Sequence, residues 1–281
     1  MAKLPGNKQL FDRKGWPLGC LADINRLEAR EKESIYGSII PPRLFTMLDV
    51  SPETFRGSDG KRKVRFIAPE GLGLLRIEVR TETFVRDPVF LLDISDTHFR
   101  QMELSFCIIN DPDTHRYNVD LDIYGHDNSF ASLGRNLPEE VRAMAAGLFP
   151  NQTHRGLRMF AEFFPLFERF VDALGMDMII AEPLTYDNAV RYEKYGFDYL
   201  TGRLLMLNIN EGFRPGGVLC RRLDGSTPFR MSGMEKTAHG RSWAIHDGIM
   251  DEKWDGVRIY KMVGESAGVN TFPEQEPVRE I

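Results

Sequence analysis

The chain has 281 residues, 42% of them hydrophobic, and carries 36 Lys and Arg against 41 Asp and Glu, a formal net charge of −5. That length accommodates one large domain or two modest ones around a sizeable core. The acidic balance supplies no general basic face to neutralise phosphates, so no nucleic-acid partner is expected, although a local basic pocket remains compatible with it.

Residues 1–20 are rich in Gly, Pro and Lys and read as irregular, and MAKLPGNKQL lacks the apolar run of a secretory signal, so the expected compartment is cytoplasmic. Cys20, Cys107 and Cys220 are far apart and form no CxxC pair, which argues against a disulfide scaffold or a zinc ribbon, and no metal site is expected. Leu21, Ile24 and Leu27 with charges between them predict an amphipathic helix from Leu21 to Tyr36, ended by Gly37. Pro41-Pro42 breaks the chain, and SPETFRGSDGKR at 51–62 is a polar, turn-rich boundary.

The period then changes to two. Val64, Phe66 and Ala68 alternate with Lys63, Arg65 and Ile67, and after a PEGLG turn Leu75, Ile77 and Val79 alternate with Arg76, Glu78 and Arg80. Val89 to Ile94 is a short apolar run. Met102, Leu104, Phe106 and Ile108 alternate with Gln101, Glu103 and Ser105; beyond an NDPDT turn, Tyr117, Val119, Leu121 and Ile123 alternate with Asn118, Asp120 and Asp122. Together these predict an antiparallel meander with one buried face.

The helical period returns at PEEVRAMAAGLF, with Pro138 in a first-turn position and acids beside it. Gly156 to Leu174 sets Phe160, Phe163, Phe164, Phe167, Phe170, Val171 and Leu174 on one stripe opposite Glu162, Glu168, Arg169 and Asp172, a core face. Pro165 either kinks this helix or starts a second one, and Gly175 caps it. The stretch is interrupted by charges and Pro165, so no membrane span is expected. Met176 to Ala181 reads as a short buried strand, Thr185 to Phe197 (TYDNAVRYEKYGF) as a helix closed by Gly196, and Phe197 to Asn208 as a long strand. Residues 211–281 are glycine-rich with weak periodicity apart from a strand at Gly256 to Val263. Antiparallel strands followed by helix, strand, helix, strand imply a mixed α/β sheet.

YEKYGF at Tyr192 to Phe197, after an Asn-Ala pair, resembles a motif of the GNAT N-acetyltransferase superfamily, and the helix Gly156–Leu174 and strand Met176–Ala181 match that family's order over roughly Gln101 to Asn208. The resemblance implies a GNAT-like domain at 61–210, with an N-terminal helical and irregular extension at 1–60 and a C-terminal irregular extension at 211–281 packing on it. It further implies transfer from acetyl-CoA or another acyl-CoA, as co-substrate, to a small amine, by direct attack in a ternary complex. Such chemistry needs a pyrophosphate cradle at a helix N-terminus, a backbone donor on the thioester carbonyl, a base for the amine and an acid for the thiolate. The resemblance puts Tyr192 in the role of acid; a phenol pKa of about 10 lies above that of a thiol. Its pyrophosphate loop falls on Asn151–Phe160 (NQTHRGLRMF), with Gln152, His154, Arg155, Gly156, Leu157 and Arg158 as the contacts. Arg158 and Phe160 stand where the family places small residues, which leaves a non-catalytic, ligand- or partner-binding protein of the same fold as the alternative.

The residues themselves leave other choices open. Tyr192 is either the acid or a helix-face aromatic packed on the sheet. Glu103, Asp120 and Asp122 are either an acidic pocket for an amine, with Glu103 or Asp120 as base, or solvated carboxylates on an exposed sheet face. His115, His126, His154 and His246 show no paired-ligand spacing and read as surface or capping residues. Trp243 and Trp254 leave a pocket cover or a homodimer contact open.

Overall fold

The computed structural model describes residues 9–82 and 86–273. The outer ends of the expected extensions, 1–8 and 274–281, lie outside the described residues. The helices are α1 (Leu21–Asn25), α2 (Ala29–Gly37), α3 (Pro42–Met47), α4 (Leu137–Ala145), α5 (Phe160–Ala173), α6 (Tyr186–Glu193), α7 (Arg203–Gly212), α8 (Val218–Arg221) and α9 (Ala238–His246). The strands are β1 (Val64–Ile67), β2 (Leu74–Val79), β3 (Phe90–Asp96), β4 (Met102–Ile109), β5 (Met178–Ala181), β6 (Asp198–Thr201) and β7 (Arg258–Met262). The fold is mixed α/β, with a seven-stranded mixed sheet in the order β1-β2-β3-β4-β5-β7-β6. None of the described helices is long and apolar enough to cross a membrane.

The described residues of 1–113, 156–181 and 261–265 form one compact unit, and those of 114–155, 182–260 and 266–281 a second. In the first unit β1 to β4 form the expected antiparallel meander and β5 joins β4 in parallel. Direct partners share a face, so Leu75, Ile77 and Val79 stack beside Ile94, Leu92 and Phe90. α5 covers that face with Phe163, Phe164, Phe167, Phe170 and Val171, all buried, and Phe163 meets Phe90 edge-on at 5.7 Å. Burying each of these phenylalanines stabilises by roughly 1.5–3 kcal/mol.

Pro165 neither divides α5 nor starts a new helix. Both Pro165 and Ala161, whose carbonyl loses its intrahelical partner, are exposed, so that carbonyl is open to solvent and its desolvation costs nothing. The helix begins at Phe160, later than the stripe implies, and stops at Gly175, whose φ of +68° suits glycine.

The single helix expected over Leu21–Tyr36 is two, α1 and α2. Asn25, buried at the break, donates its side-chain amide to the Leu72 and Leu74 carbonyls (2.6 and 2.9 Å) and accepts from the Tyr36 hydroxyl at 2.5 Å. Those bonds tie the junction to β2 at the point where a continuous helix would carry it past.

β4 departs from simple alternation. Ile94 pairs with Leu104 and Asp93 with Phe106, so Ser105 is an extra residue, a β-bulge. Beyond it the faces exchange: Cys107 and Ile109 join the face of Leu92 and Phe90, while Phe106 and Ile108 join the face of Glu103.

The second unit corrects three expectations. Residues 117–123 form a loop with turns and one isolated bridge, Leu121 to Asp127, rather than a strand. Asp122 Oδ1 accepts from the N–H groups of Tyr124 and His126 (2.8 and 2.9 Å), and the buried Asn128 amide takes the carbonyls of Val119 and Leu121 (2.8 and 3.4 Å) that a neighbouring strand would otherwise satisfy. The long strand expected over Phe197–Asn208 is only β6. Gly202, at φ +89° and with Val257 where a Cβ would sit, turns the chain into α7, which buries Met206 and Ile209 and exposes Leu204 and Leu207. The region beyond 211 is helical in part. α9 is buried nearly all round, and Trp243 stacks on Phe229 at 5.2 Å and donates to the Leu148 carbonyl at 2.8 Å. Trp243 thus belongs to a core with Val119, Ala143, Leu148 and Phe229, and Trp254 donates to the Pro183 carbonyl at 3.0 Å. The strand expected at Gly256–Val263 is β7.

Candidate active site

β4 is paired with β3 along its length but with β5 only at Met102↔Ile179 and Glu103↔Ile180. β5 stops at Ala181, whereas β4 runs on to Ile109. The β4–β5 ladder therefore ends at Glu103, because β5 has only Ala181 left beyond Ile180. At the far end of β4, Asn110 forms a bridge with Gly156, and the Leu157 N–H donates to the Ile109 carbonyl at 3.3 Å. A Cβ at Gly156 would lie 3.2 Å from that carbonyl oxygen, so the close approach favours glycine. The loop leading into α5 is thus pinned to the end of β4.

The N-cap residue of α5, Met159, provides no side-chain hydrogen bond. Of the first-turn N–H groups, that of Glu162 donates to the Met159 carbonyl at 3.0 Å, while those of Phe160 and Ala161 precede any intrahelical acceptor and, with the helix dipole, present partial positive charge. Arg158, exposed, holds a left-handed φ of +57°, which costs a non-glycine residue roughly 1–2 kcal/mol. Among the described residues its guanidinium has no hydrogen-bond or ion-pair partner. Phe160 does not fill the loop; it stacks along its own helix on Phe164 at 5.7 Å. Arg43 of α3 reaches the same place, paired with Glu162 at 2.7 Å and 3.5 Å from the Leu157 carbonyl. This is an anion-attracting corner with one first-turn acid, Glu162, beside it.

Glu103 is half-buried between Ser95 on β3 and Ile180 on β5, and among the described residues its carboxylate has no hydrogen-bond or ion-pair partner. Glu103, Gly156, Leu157 and Arg158 belong to the first unit. The other expected residues belong to the second. Gln152 accepts from the Phe149 N–H at 2.8 Å, the His154 ring lies 3.3 Å from the Thr114 carbonyl, and Arg155 donates to the Ala146 carbonyl at 3.0 Å. Gln152 closes a local turn, whereas His154 and Arg155 tie the segment to more distant backbone. Asp120 lies in a turn, paired with Arg116 at 2.8 Å, and neither it nor Asp122 shares a strand face with Asn118 as expected.

Tyr192 stands in the last turn of α6, half-buried, its ring edge-on to Phe197 at 4.9 Å. The rest of that motif is largely structural. Tyr186, Asp187, Val190 and Glu193 are buried. Asp187 accepts from Thr185 (2.7 Å) and from Ser242 of α9 (2.6 Å); burial pushes its carboxyl up, and Arg191, 3.6 Å away, with the two hydroxyls only partly offsets this. Glu193 accepts from the Tyr199 hydroxyl and from both the N–H and hydroxyl of Thr271.

Two site residues escaped the sequence. Nothing in Pro-Pro-Arg links Arg43 to a loop more than a hundred residues away. Ser105 had a signal, because FCII after it abandons the apolar-polar alternation that MELS begins. An open hollow of about 900 Å³ lies elsewhere in the first unit, lined only by residues between Gly37 and Gly60, Phe45 and Arg56 among them. It brings no acid, base or nucleophile set together, so the opened β4 edge is the stronger site. No group of three or more His, Cys, Asp or Glu among the described residues is arranged to hold a metal ion. No protein-family model, no curated protein and no solved structure matches the chain.

Proposed function

We propose that the chain is an acyl-CoA-dependent N-acyltransferase with a GNAT-like fold, transferring an acetyl or other acyl group to a small amine by direct attack. The observation that carries this reading is the end of the β4–β5 ladder after two register pairs, which leaves the rest of that β4 edge without β5, next to the loop 156–159 and the uncapped N-terminus of α5. A CoA thioester needs an anion cradle and, at some distance, a place for the reacting carbonyl. Seven residue steps along β4 and its extension take Glu103 to Asn110, roughly 20 Å at strand rise, a span suited to an extended pantetheine arm.

The pyrophosphate would sit on the N–H groups at Arg158–Phe160, with Arg158 and Arg43 supplying charge. The Ser105 bulge interrupts the ladder, and this reading assigns the backbone N–H of the extra residue as the donor for the thioester carbonyl. Glu103 takes the proton of the incoming ammonium. The freed amine attacks the carbonyl carbon; as the tetrahedral intermediate collapses the C–S bond breaks, Tyr192 protonates the leaving thiolate, and the nitrogen's second proton passes through solvent to restore the phenol, leaving the neutral amide. Glu103 is given its role by its residue type and its place on β4, and Tyr192 by its residue type and its place in the α6 motif.

The left-handed Arg158, in a loop where small residues would let a phosphate approach closely, favours a second reading: a protein of this fold that binds an acyl-CoA or another anion without turnover. Thiol release from acetyl-CoA with a panel of primary amines separates the two. Turnover that falls about 100-fold or more in Tyr192→Phe, at unchanged acetyl-CoA affinity, is the expected result. Binding of acetyl-CoA with no thiol release from any amine would favour the second reading.

A further inference from the structure

The bulge at Ser105 does more than interrupt a ladder. With regular alternation Glu103 would share its face with Ser105 and Cys107. Instead it shares it with Phe106 and Ile108, and Leu91, the direct partner of Ile108, extends that apolar strip onto β3. All four side chains are half-buried. Asp93, opposite Phe106, is already neutralised by a two-pronged pair with Arg76, both bonds at 2.7 Å, and Glu78, beside Leu91 on β2, is paired with Arg80 at 3.3 Å. Glu103 is therefore the carboxylate on this strip that lacks a partner among the described residues, and it stands at one end of a run of hydrocarbon. At strand rise, Ile108 lies roughly 15 Å along β4 from Glu103.

We propose that this strip binds a primary amine carried on a hydrocarbon tail. The ammonium pairs with Glu103, and the tail lies along Phe106, Ile108 and Leu91; resting on the acyltransferase reading, this amine is the acceptor. Charge complementarity selects the ammonium, because a half-buried carboxylate without a partner favours a cation. Phe106 is the next residue of β4 on that face beyond the bulge, so it lines the start of the tail's path. A carboxylate on the ligand's own tail would be placed against apolar side chains and beside a second acid, Asp93, so amino acids are disfavoured.

The test is calorimetric titration of the purified protein with n-hexylamine, hexan-1-ol and 6-aminohexanoate. Hexylamine is expected to bind at least tenfold more tightly than either control. Glu103→Gln should remove that margin while leaving hexanol unchanged, and Phe106→Ala, or Phe106→Leu where a thermal melt shows the alanine variant unfolded, should weaken hexylamine and hexanol together. Hexylamine no tighter than hexanol, or binding indifferent to Glu103→Gln, overturns the proposal. The two readings fail separately: Glu103-dependent amine binding without thiol release from acetyl-CoA removes the transferase and keeps the amine strip. Thiol release with amines whose binding ignores Glu103 does the opposite.

Discussion

Replacing Glu140 by alanine should cost about 3 kcal/mol and reveal whether the segment around α4 and the C-terminal helix α9 fold as one body. Glu140 is 1% exposed and is held by Arg135, at 2.9 Å through Nε, and by the His246 ring at 3.3 Å. Arg135 also pairs with Asp247 at 2.9 Å, and its guanidinium lies 5.1 Å from the centre of the Phe229 ring. Removing one member of a buried ion pair costs about 3–5 kcal/mol, because the partner's charge is left behind. Arg135 keeps Asp247 and is partly exposed, which places the loss at the lower end. At about 2–4 °C per kcal/mol for a chain of this size, Tm should fall by about 6–12 °C.

Urea unfolding at pH 7 is the assay, and Cm should drop with m unchanged. The pH dependence is a second check. Burial alone would raise the Glu140 carboxyl, but the hydrogen bonds and charges of His246 and Arg135 outweigh it and hold it below the usual range. A folded value below the unfolded one, about 4.3, gives stability that is complete above that pH and lost as pH falls through the folded value. The gap between the two proteins should therefore close in acid. A loss under 1 kcal/mol at pH 7, or a gap undiminished at pH 3, would refute the reasoning.

Asp187 has the opposite sign. Its folded value is raised by burial, so the native state is penalised as pH climbs through the carboxylate range. Asp187→Asn keeps an acceptor for Thr185 and Ser242, and its Tm relative to the parent should improve between pH 4 and pH 7; a difference independent of pH would contradict this. Phe163→Ala, which empties a fully buried site ringed by Phe90, Phe160 and Phe167, should cost about 3–5 kcal/mol in urea unfolding, and a cost below 1 kcal/mol would mean that α5 does not carry the core. Gly240→Ala would drive a Cβ into the Met234 backbone and should cost about 1–3 kcal/mol, read as a lower Cm; an unchanged Cm would show that the turn before α9 gives way freely.

The meander and α5 were legible because each has one dry face, so a period of two or of 3.6 is written into the residues that line it. α9 was not legible, since it is buried on nearly every side and its AHGRSWAIH has no polar stripe to mark a period. Residues 117–123 misled for a different reason. Alternation between Tyr117 and Ile123 mimics a strand, but Asp122 and Asn128 supply the backbone bonds locally, and side-chain capping of this kind leaves no periodic trace. Gly202 was visible, yet a lone glycine inside an apolar run does not say which element follows it. At the candidate site the sequence held Glu103, Gly156 and Arg158, because acids, glycines and arginines carry chemistry at sight. It could not hold Arg43, brought to the loop by packing, nor the exchange of faces at Ser105, which depends on a register set by β3.

The central claim is that the opened edge of β4 and the N-terminus of α5 receive an acyl-CoA. The most direct measurement is thermal unfolding of the full chain with acetyl-CoA and with longer acyl-CoAs. At a hundredfold excess over its dissociation constant a ligand adds roughly 2.7 kcal/mol, which should raise Tm by about 5–11 °C, and Gly156→Val, crowding the Ile109 carbonyl, should abolish the rise. No rise with any acyl-CoA, or a rise that Gly156→Val leaves intact, would contradict the account.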